Sequence, residues 1–181
     1  MARLNITNIF MYRQGTLDNT FVTVLVGEKK EEYVLHKALL CSESEYFEKV
    51  LSGRFKEGQE GTIKLPETLP ETLRTLTDYM YTRQLPHTCE ATEAELDLPD
   101  LQDNSEARLE GHLDAVLTNL YIFADRHVVP DLSDAIIDRF VGQYICGALL
   151  MLYYSTIIHA YDGLPEGSPL LLLYVDLHAR Y

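Results

Sequence analysis

The sequence has few cysteines and lacks the usual phosphate-binding loops, and both features narrow the classes of function. Its 181 residues include three cysteines, Cys41, Cys89 and Cys146, and no two of them have CxxC spacing. Such a sparse, odd set argues against a disulfide framework and is typical of a reducing compartment. GxxxxGK[ST] does not occur and no GxGxxG follows a strand, so we predict no phosphate cradle and no cofactor.

Basic residues are also scarce. Fifteen Lys and Arg face 28 Asp and Glu, for a formal net charge of −13. Nucleic acid and anionic membranes would repel such a chain, so we expect neither as a partner. Eight acids and one base fall within 86–111, and this segment has no sustained apolar period. We interpret it as a solvated insertion.

The sequence gives little support for a signal peptide or a membrane-spanning segment. The amino terminus has neither a long apolar core nor a clear cleavage site, so we predict no signal peptide. Residues 140–161 contain no Asp, Glu, Lys or Arg, which leaves a membrane-anchored adaptor as an alternative. We favour one or two buried helices there, because polar residues interrupt the segment.

The first half of the chain alternates strand and helix patterns. TFVTVLVG (20–27) predicts a buried strand, EKKEE (28–32) a turn and YVLHK (33–37) a second strand of a hairpin. A helical turn follows from Lys37, and Ser44 is expected to cap the next helix. Residues 62–65 predict another short strand. Thr68 and Glu71 have the spacing of a capping box, and the helix that they start should bury Leu73, Leu76, Tyr79 and Met80.

The second half is mainly helical. An apolar stripe predicts one helix (Leu113, Val116, Leu117, Leu120, Phe123, Ala124). Asp131 is expected to cap a second helix, residues 141–161 another helical stretch, 162–167 a turn and 169–179 a last helix. Strands followed by helices indicate an α+β fold with a small sheet.

The sequence gives only weak support for a catalytic site or a metal site. Cys41 has His36 five residues before it, but it lies in an apolar stretch beside acids, which favours a buried, inert thiol over a nucleophile. We expect His36 to make a structural hydrogen bond. His87, Cys89 and the distant His112 do not complete a tetrahedral metal site, and the acids of 86–111 lack a calcium-loop pattern. We therefore predict no enzyme and no small-molecule substrate, with a Cys41/His36 enzyme as the less favoured alternative.

Five local strings occur in an order that resembles the BTB/POZ domain. They are TVLVG, YVLHKALLCSESEYFEKVL, FKEGQEGTIKLPE, LTDYMYTRQL and LYIFADRHVVPDL. The likeness is greatest to fungal proteins with one amino-terminal BTB domain and no kelch or zinc-finger module. It divides the chain into an amino-terminal segment (1–19), a BTB/POZ domain (20–140) with the acidic insertion, and a helical extension (141–181).

The resemblance implies protein interaction in the cytoplasm or nucleus. Its fold is a small sheet beside helical hairpins, and its members self-associate. Some bind a cullin as substrate adaptors of a ubiquitin ligase, through a hydrophobic-x-acidic motif before the third strand; others are transcription-associated scaffolds. By resemblance, the cullin contact is assigned to Phe55, Lys56 and Glu57, with Tyr81 as a neighbour. The dimer interface is assigned to Phe21, Val22, Thr23, Val24, Leu35, Leu39 and Leu40.

Two positions depart from the family pattern. Phe21 falls where many members have an Asp that helps to form a charged pocket at the dimer interface of transcription repressors, and Asp18 is out of register with it. Arg83 replaces the glycine that usually follows Tyr-Thr. The first departure weakens the transcriptional alternative. Phe55 itself also has a purely structural interpretation, in which its ring packs against the sheet.

Overall fold

The computed structural model describes residues 20–86, 105–145 and 153–179. These residues form two compact units. Unit 1 comprises the described residues up to 84 together with 126–131, and unit 2 comprises the described residues from 85 to 125 and from 132 onwards.

A three-stranded sheet lies in unit 1. β1 (Phe21–Val26) pairs antiparallel with β2 (Glu31–His36) and parallel with β3 (Thr62–Leu65), in the order β2-β1-β3. The predicted hairpin is confirmed, but β2 begins at Glu31 rather than within YVLHK, since the pairing with β1 continues to the Val26–Glu31 pair. Alternate residues of the sheet are buried (Val22, Val24, Val26, Leu35, Ile63, Leu65), which gives it one core face.

Four helices of unit 1 follow the strands. They are α1 (Lys37–Glu43), α2 (Glu45–Val50), α3 (Lys56–Glu60) and α4 (Pro70–Thr82). The predicted cap at Ser44 is confirmed, because its Oγ accepts a hydrogen bond from the Phe47 amide at 3.2 Å. The same hydroxyl donates to the His127 carbonyl at 2.5 Å. One serine therefore starts α2 and ties it to the segment 126–131.

The predicted capping box before α4 is wrong. Leu69 is the N-cap residue of α4, and it has no side-chain capping bond. The amide of Thr68 donates to Leu65 at 3.3 Å, which places Thr68 in the turn after β3. Pro70 occupies the first turn and has no N–H that would need a cap. The predicted buried residues of α4 are confirmed.

Unit 2 is built on four helices, some of which extend into unit 1 at their ends. They are α5 (Ser105–Arg126), α6 (Pro130–Ile145), α7 (Tyr154–Gly163) and α8 (Pro169–His178). The apolar stripe predicted for α5 is buried throughout. Two hydroxyls meet in this core, where Thr118 Oγ1 lies 2.6 Å from the Tyr174 hydroxyl.

Several predicted boundaries change. α5 begins at Ser105, so the end of the predicted insertion is helical, while 87–104 lie outside the described residues. Asp131 does not cap α6. It lies in the first turn after Pro130, where its charge complements the helix dipole. In the predicted helical stretch 141–161, residues 141–145 belong to α6 and 154–161 to α7, while 146–152 lie outside the described residues. The predicted turn shortens because α7 continues to Gly163.

Candidate protein-interaction surface

The predicted motif Phe55-Lys56-Glu57 lies on a short turn between α2 and β3. Phe55 is the N-cap residue of α3, and Lys56 and Glu57 open that helix. The amide of Gln59 donates to the Phe55 carbonyl at 3.2 Å, which closes the turn. The motif therefore directly precedes the third strand, as the resemblance implies.

Three glycines determine the path of this turn. Gly53 has φ +82 and Gly61, the C-cap of α3, has φ +63, a backbone region that other residues adopt at a cost. Gly58 lies so close to Gly53 that a Cβ built on it would be 2.6 Å from the Gly53 nitrogen. The turn is consequently held by backbone packing rather than by the ring of Phe55.

The side chains of the motif face solvent. Phe55 is 53% exposed, and Lys56 and Glu57 are exposed as well. Phe55 is therefore not one of the buried core residues of unit 1. Lys56 forms an ion pair with Glu60 at 3.5 Å between exposed groups, which contributes little to stability. An exposed aromatic ring beside an exposed carboxylate is a combination that suits a protein contact.

Tyr81, the predicted neighbour of this motif, belongs to a cluster at the end of β2. Its hydroxyl lies 2.6 Å from His36 Nδ1, and the ring of His36 lies 4.5 Å from that of Phe21. Burial raises the pKa of the Tyr81 hydroxyl, an effect that a hydrogen bond with the backbone of His36 opposes. The hydroxyl therefore stays protonated at neutral pH. The structural hydrogen bond expected of His36 is present.

The residues assigned to the dimer interface divide into two groups. Five of them are buried in the single chain and belong to its core (Val22, Val24, Leu35, Leu39, Leu40). Their side chains do not present a surface to a second copy. Phe21 is 51% exposed and Thr23 is half-buried. Self-association and its contact residues stay a prediction, and of the assigned residues these two are accessible in the single chain.

The Cys41 thiol does not have the setting of a nucleophile. It is half-buried and donates to the Phe47 carbonyl at 3.9 Å. Burial raises its pKa; nearby Lys37 partly offsets that rise and Glu48 adds to it. The thiol is therefore protonated at neutral pH, whereas a reactive cysteine needs a lowered pKa.

Metal clusters and membrane-spanning helices are absent from the described part of the chain. Within 20–86, 105–145 and 153–179, no group of three or more His, Cys, Asp or Glu residues is placed to hold a metal ion. His87 and Cys89 lie outside these ranges. In the same part of the chain, no helix combines the length and apolar character needed to cross a bilayer.

One polar contact was not predicted from the sequence. Arg83 forms an ion pair with Glu43, whose side chain is 3% exposed, and the guanidinium lies 5.3 Å above the ring of Tyr79. Arg83 adopts φ +60 at the C-cap of α4, a conformation that favours the glycine usual at this position in the resembling family. An arginine at a glycine position was the available signal, but its partner lies 40 residues away in sequence.

A small mixed sheet followed by short helices, with the candidate contact on an exposed turn, is an α+β arrangement. The family model of the BTB/POZ domain matches residues 13–111, which is more than half of the chain. The chain belongs to the BTB/POZ domain family, and its fold is the BTB fold.

Curated relatives with detectable similarity include Kelch-like proteins. The chain is 31% identical to mouse Kelch-like protein 13 over 86 residues, which cover 48% of this chain and 12% of that protein. It is 29% identical to human Kelch-like protein 11 over 80 residues, which cover 41% of this chain and 11% of that protein. The chain thus matches only a small fraction of the length of these relatives.

Solved structures with a similar fold include two BTB domains. The BTB domain of human Gigaxonin aligns with 76% of this chain and 95% of its own, at 15% identity and a TM-score of 0.44. The BTB domain of zebrafish PATZ1 aligns with 79% of this chain and 98% of its own, at 18% identity and a TM-score of 0.44.

Proposed function

We propose that this chain is a self-associating interaction module that binds the amino-terminal region of a cullin through Phe55, Lys56 and Glu57, as a substrate adaptor of a ubiquitin ligase. The observation that carries the proposal is the 53% exposure of Phe55 on a turn that its ring does not hold together. Membership in an interaction family supports the general class. The choice of a cullin as the partner rests on the sequence resemblance alone. The cytoplasmic or nuclear location and the proposed kinship with fungal single-BTB proteins have the same basis.

The three residues have distinct roles in this proposal. Phe55 supplies buried area in the complex, since an aromatic anchor contributes most when it leaves water. The Glu57 carboxylate orients the partner and attracts its positive charges. Added salt shortens the range of this electrostatic attraction. Lys56, already paired with Glu60, contributes least. Tyr81 is fixed by His36 and is a weaker contact.

Self-association is assigned to the exposed part of β1. Phe21 lies against the ring of His36 at the start of the strand, which limits the orientations of its ring. A preordered aromatic surface loses less conformational entropy on binding. We expect Phe21→Ala to shift a dimer toward the single chain.

The test is a binding titration with a cullin amino-terminal fragment. The double variant Phe55→Ala with Glu57→Ala should lose the fragment while its melting temperature stays nearly unchanged. Leu69→Ala is the matched control, because Leu69 is also an apolar N-cap residue of unit 1 and is 52% exposed. The control should bind normally.

Two outcomes contradict the proposal. Full binding by the double variant would show that the motif is not the contact. A folded wild type that binds no cullin at all, while still associating with itself, would favour the transcription-associated scaffold instead.

A further inference from the structure

The carboxy-terminal helices present apolar side chains to solvent. On α7, Tyr154, Ile158 and Tyr161 are 74%, 59% and 50% exposed. Their spacing of four and three residues places them on one face of the helix. The face extends over about 10 Å along the axis.

A second apolar row lies on α8. Leu172 and Val175 are both more than half exposed, and His178 follows three residues later. The rings of His178 and Tyr154 are 6.0 Å apart, so the two rows meet at this end of the helix pair. We name the five apolar side chains of both rows the α7/α8 face (Tyr154, Ile158, Tyr161, Leu172, Val175).

Among the described residues, the fold leaves this face exposed. Other residues hold the two helices in unit 2: Thr156 and Ala160 are buried on α7, and Leu170, Leu171 and Tyr174 are buried on α8. The Tyr174 hydroxyl is bound to Thr118 of α5. Apolar side chains grouped on a surface, rather than scattered, mark interaction sites.

The charge of the chain segment that carries the face indicates which partner it suits. From residue 140 to residue 179 the sequence has no Lys or Arg, and its three acids are Asp162, Glu166 and Asp176. Asp162 follows Tyr161 and Asp176 follows Val175, and both are exposed. A second copy would bring acids against acids, which is unfavourable, whereas a basic partner would be attracted.

We propose that the α7/α8 face is a second docking site, separate from the Phe55 turn, for an amphipathic helix whose apolar stripe is flanked by Lys or Arg. The apolar stripe of that helix packs on Tyr154, Ile158 and Tyr161. Its basic flanks pair with Asp162 and Asp176. Helix docking on an apolar face through residues spaced three and four apart is a common mode of peptide recognition.

The probe is a helical peptide of about 18 residues with leucines spaced three and four apart and lysines elsewhere, long enough to form a helix. A twin peptide carries glutamates in place of the lysines. Fluorescence anisotropy measures the affinity of each for the whole chain at two salt concentrations. The lysine peptide should bind and weaken with salt, and the glutamate twin should bind at least about tenfold more weakly.

Ile158→Asp separates docking from simple charge attraction. The variant adds a negative charge, so a purely electrostatic association with the lysine peptide would strengthen, whereas docking on the apolar face should weaken about tenfold or more. Val34→Asp adds the same charge at an exposed apolar residue of β2 in unit 1 and should not weaken binding. Circular dichroism checks that both variants are folded.

Three results would overturn the proposal. One is equal binding of both peptides, and another is binding that Ile158→Asp leaves intact or strengthens. The third is a concentration-dependent dimer of the wild type that Ile158→Asp abolishes, which would assign the face to a second copy of this chain.

Discussion

The two units position their exposed residues by different physical means. In unit 1 the Phe55 turn is held by backbone packing between Gly53 and Gly58, and a buried carboxylate is held by an arginine. In unit 2 the exposed residues of α7 lie on a helix held by the burial of Thr156 and Ala160 and by a hydrogen bond of 2.6 Å between His159 Nε2 and Asn119 Oδ1 of α5. The arrangement in unit 1 depends on a few particular residues. The exposed face of α7 in unit 2 depends instead on apolar residues spaced three and four apart along the helix.

The largest effect is expected at the Glu43–Arg83 pair of unit 1. Arg83→Gly restores a residue that suits φ +60, a gain of up to about 1 kcal/mol. It also leaves the buried Glu43 charge without its guanidinium partner, at a cost of about 3 to 5 kcal/mol. Urea unfolding should therefore show net destabilisation.

The double variant Arg83→Gly with Glu43→Gln sharpens this prediction. Because it removes the buried charge together with its guanidinium partner, it should recover most of the lost stability. If the single variant were as stable as the wild type, the Glu43–Arg83 pair would not hold the end of α4. Of the two features described above for unit 1, only the backbone packing at Gly53 and Gly58 would then remain.

A smaller loss is expected at the hydroxyl pair of unit 2. Thr118 donates to the Asp114 carbonyl at 2.7 Å, so its single proton is used and Tyr174 must donate to it. Thr118→Val leaves the buried Tyr174 hydroxyl without this acceptor, at a cost of about 1 to 3 kcal/mol.

A double-mutant cycle with Tyr174→Phe measures the coupling. Removing both hydroxyls should cost less than the sum of the two single changes, because no polar group is then left unpaired. Additive effects in the cycle would mean that the two hydroxyls are not hydrogen-bonded in solution.

Gly58→Ala tests the backbone packing of the Phe55 turn. The added Cβ meets backbone atoms of Gly53 and Val50 at 3.0 Å or less, so the turn must shift, at a cost of about 1 to 2 kcal/mol. Gly142→Ala in α6 is the matched control, since nothing lies within 4 Å of the new Cβ; it should stabilise the chain by about 0.5 to 1 kcal/mol.

The displaced turn should also lower the affinity for a cullin fragment, whereas Gly142→Ala should not. Equal thermal stability and equal binding for both alanine variants would show that glycine at position 58 is not needed for the turn.

The smallest effect concerns Cys41, whose thiol should react slowly. Because its pKa is raised, the thiolate fraction at neutral pH lies below that of a free cysteine, and labelling should accelerate as the pH rises through 9 and beyond. Peptide mass spectrometry after brief alkylation measures this, with urea-unfolded protein as the reference. Fast, selective labelling of native Cys41 at neutral pH would revive a thiol enzyme.

Local patterns in the sequence predicted local structure well. Ser44 lies three residues before the amide that it caps, and the stripe from Leu113 to Ala124 has the period of a helix, so both could be inferred from neighbouring residues. The capping box at Thr68 failed for a local reason too, because the chain uses Thr68 in the turn that leaves β3.

Contacts between distant segments could not be inferred in this way. The parallel pairing of β1 with β3, the Glu43–Arg83 pair and the Thr118–Tyr174 bond each join residues about 40 or more positions apart. Sequence spacing carries no information about such pairs, since any of several acids or hydroxyls would fit the pattern equally well. The interaction residues stay predictions: the Phe55 motif is exposed, and five of the seven residues assigned to the dimer interface are buried in the single chain.

The central claim is that this chain functions by binding itself and a cullin. The solution mass of the purified protein, alone and mixed with a cullin amino-terminal fragment, tests it most directly. We predict a mass near twice the 20.7 kDa of one chain, and a larger complex on mixing that Phe55→Ala with Glu57→Ala prevents. A mass of 20.7 kDa in every mixture and at every concentration would contradict the account.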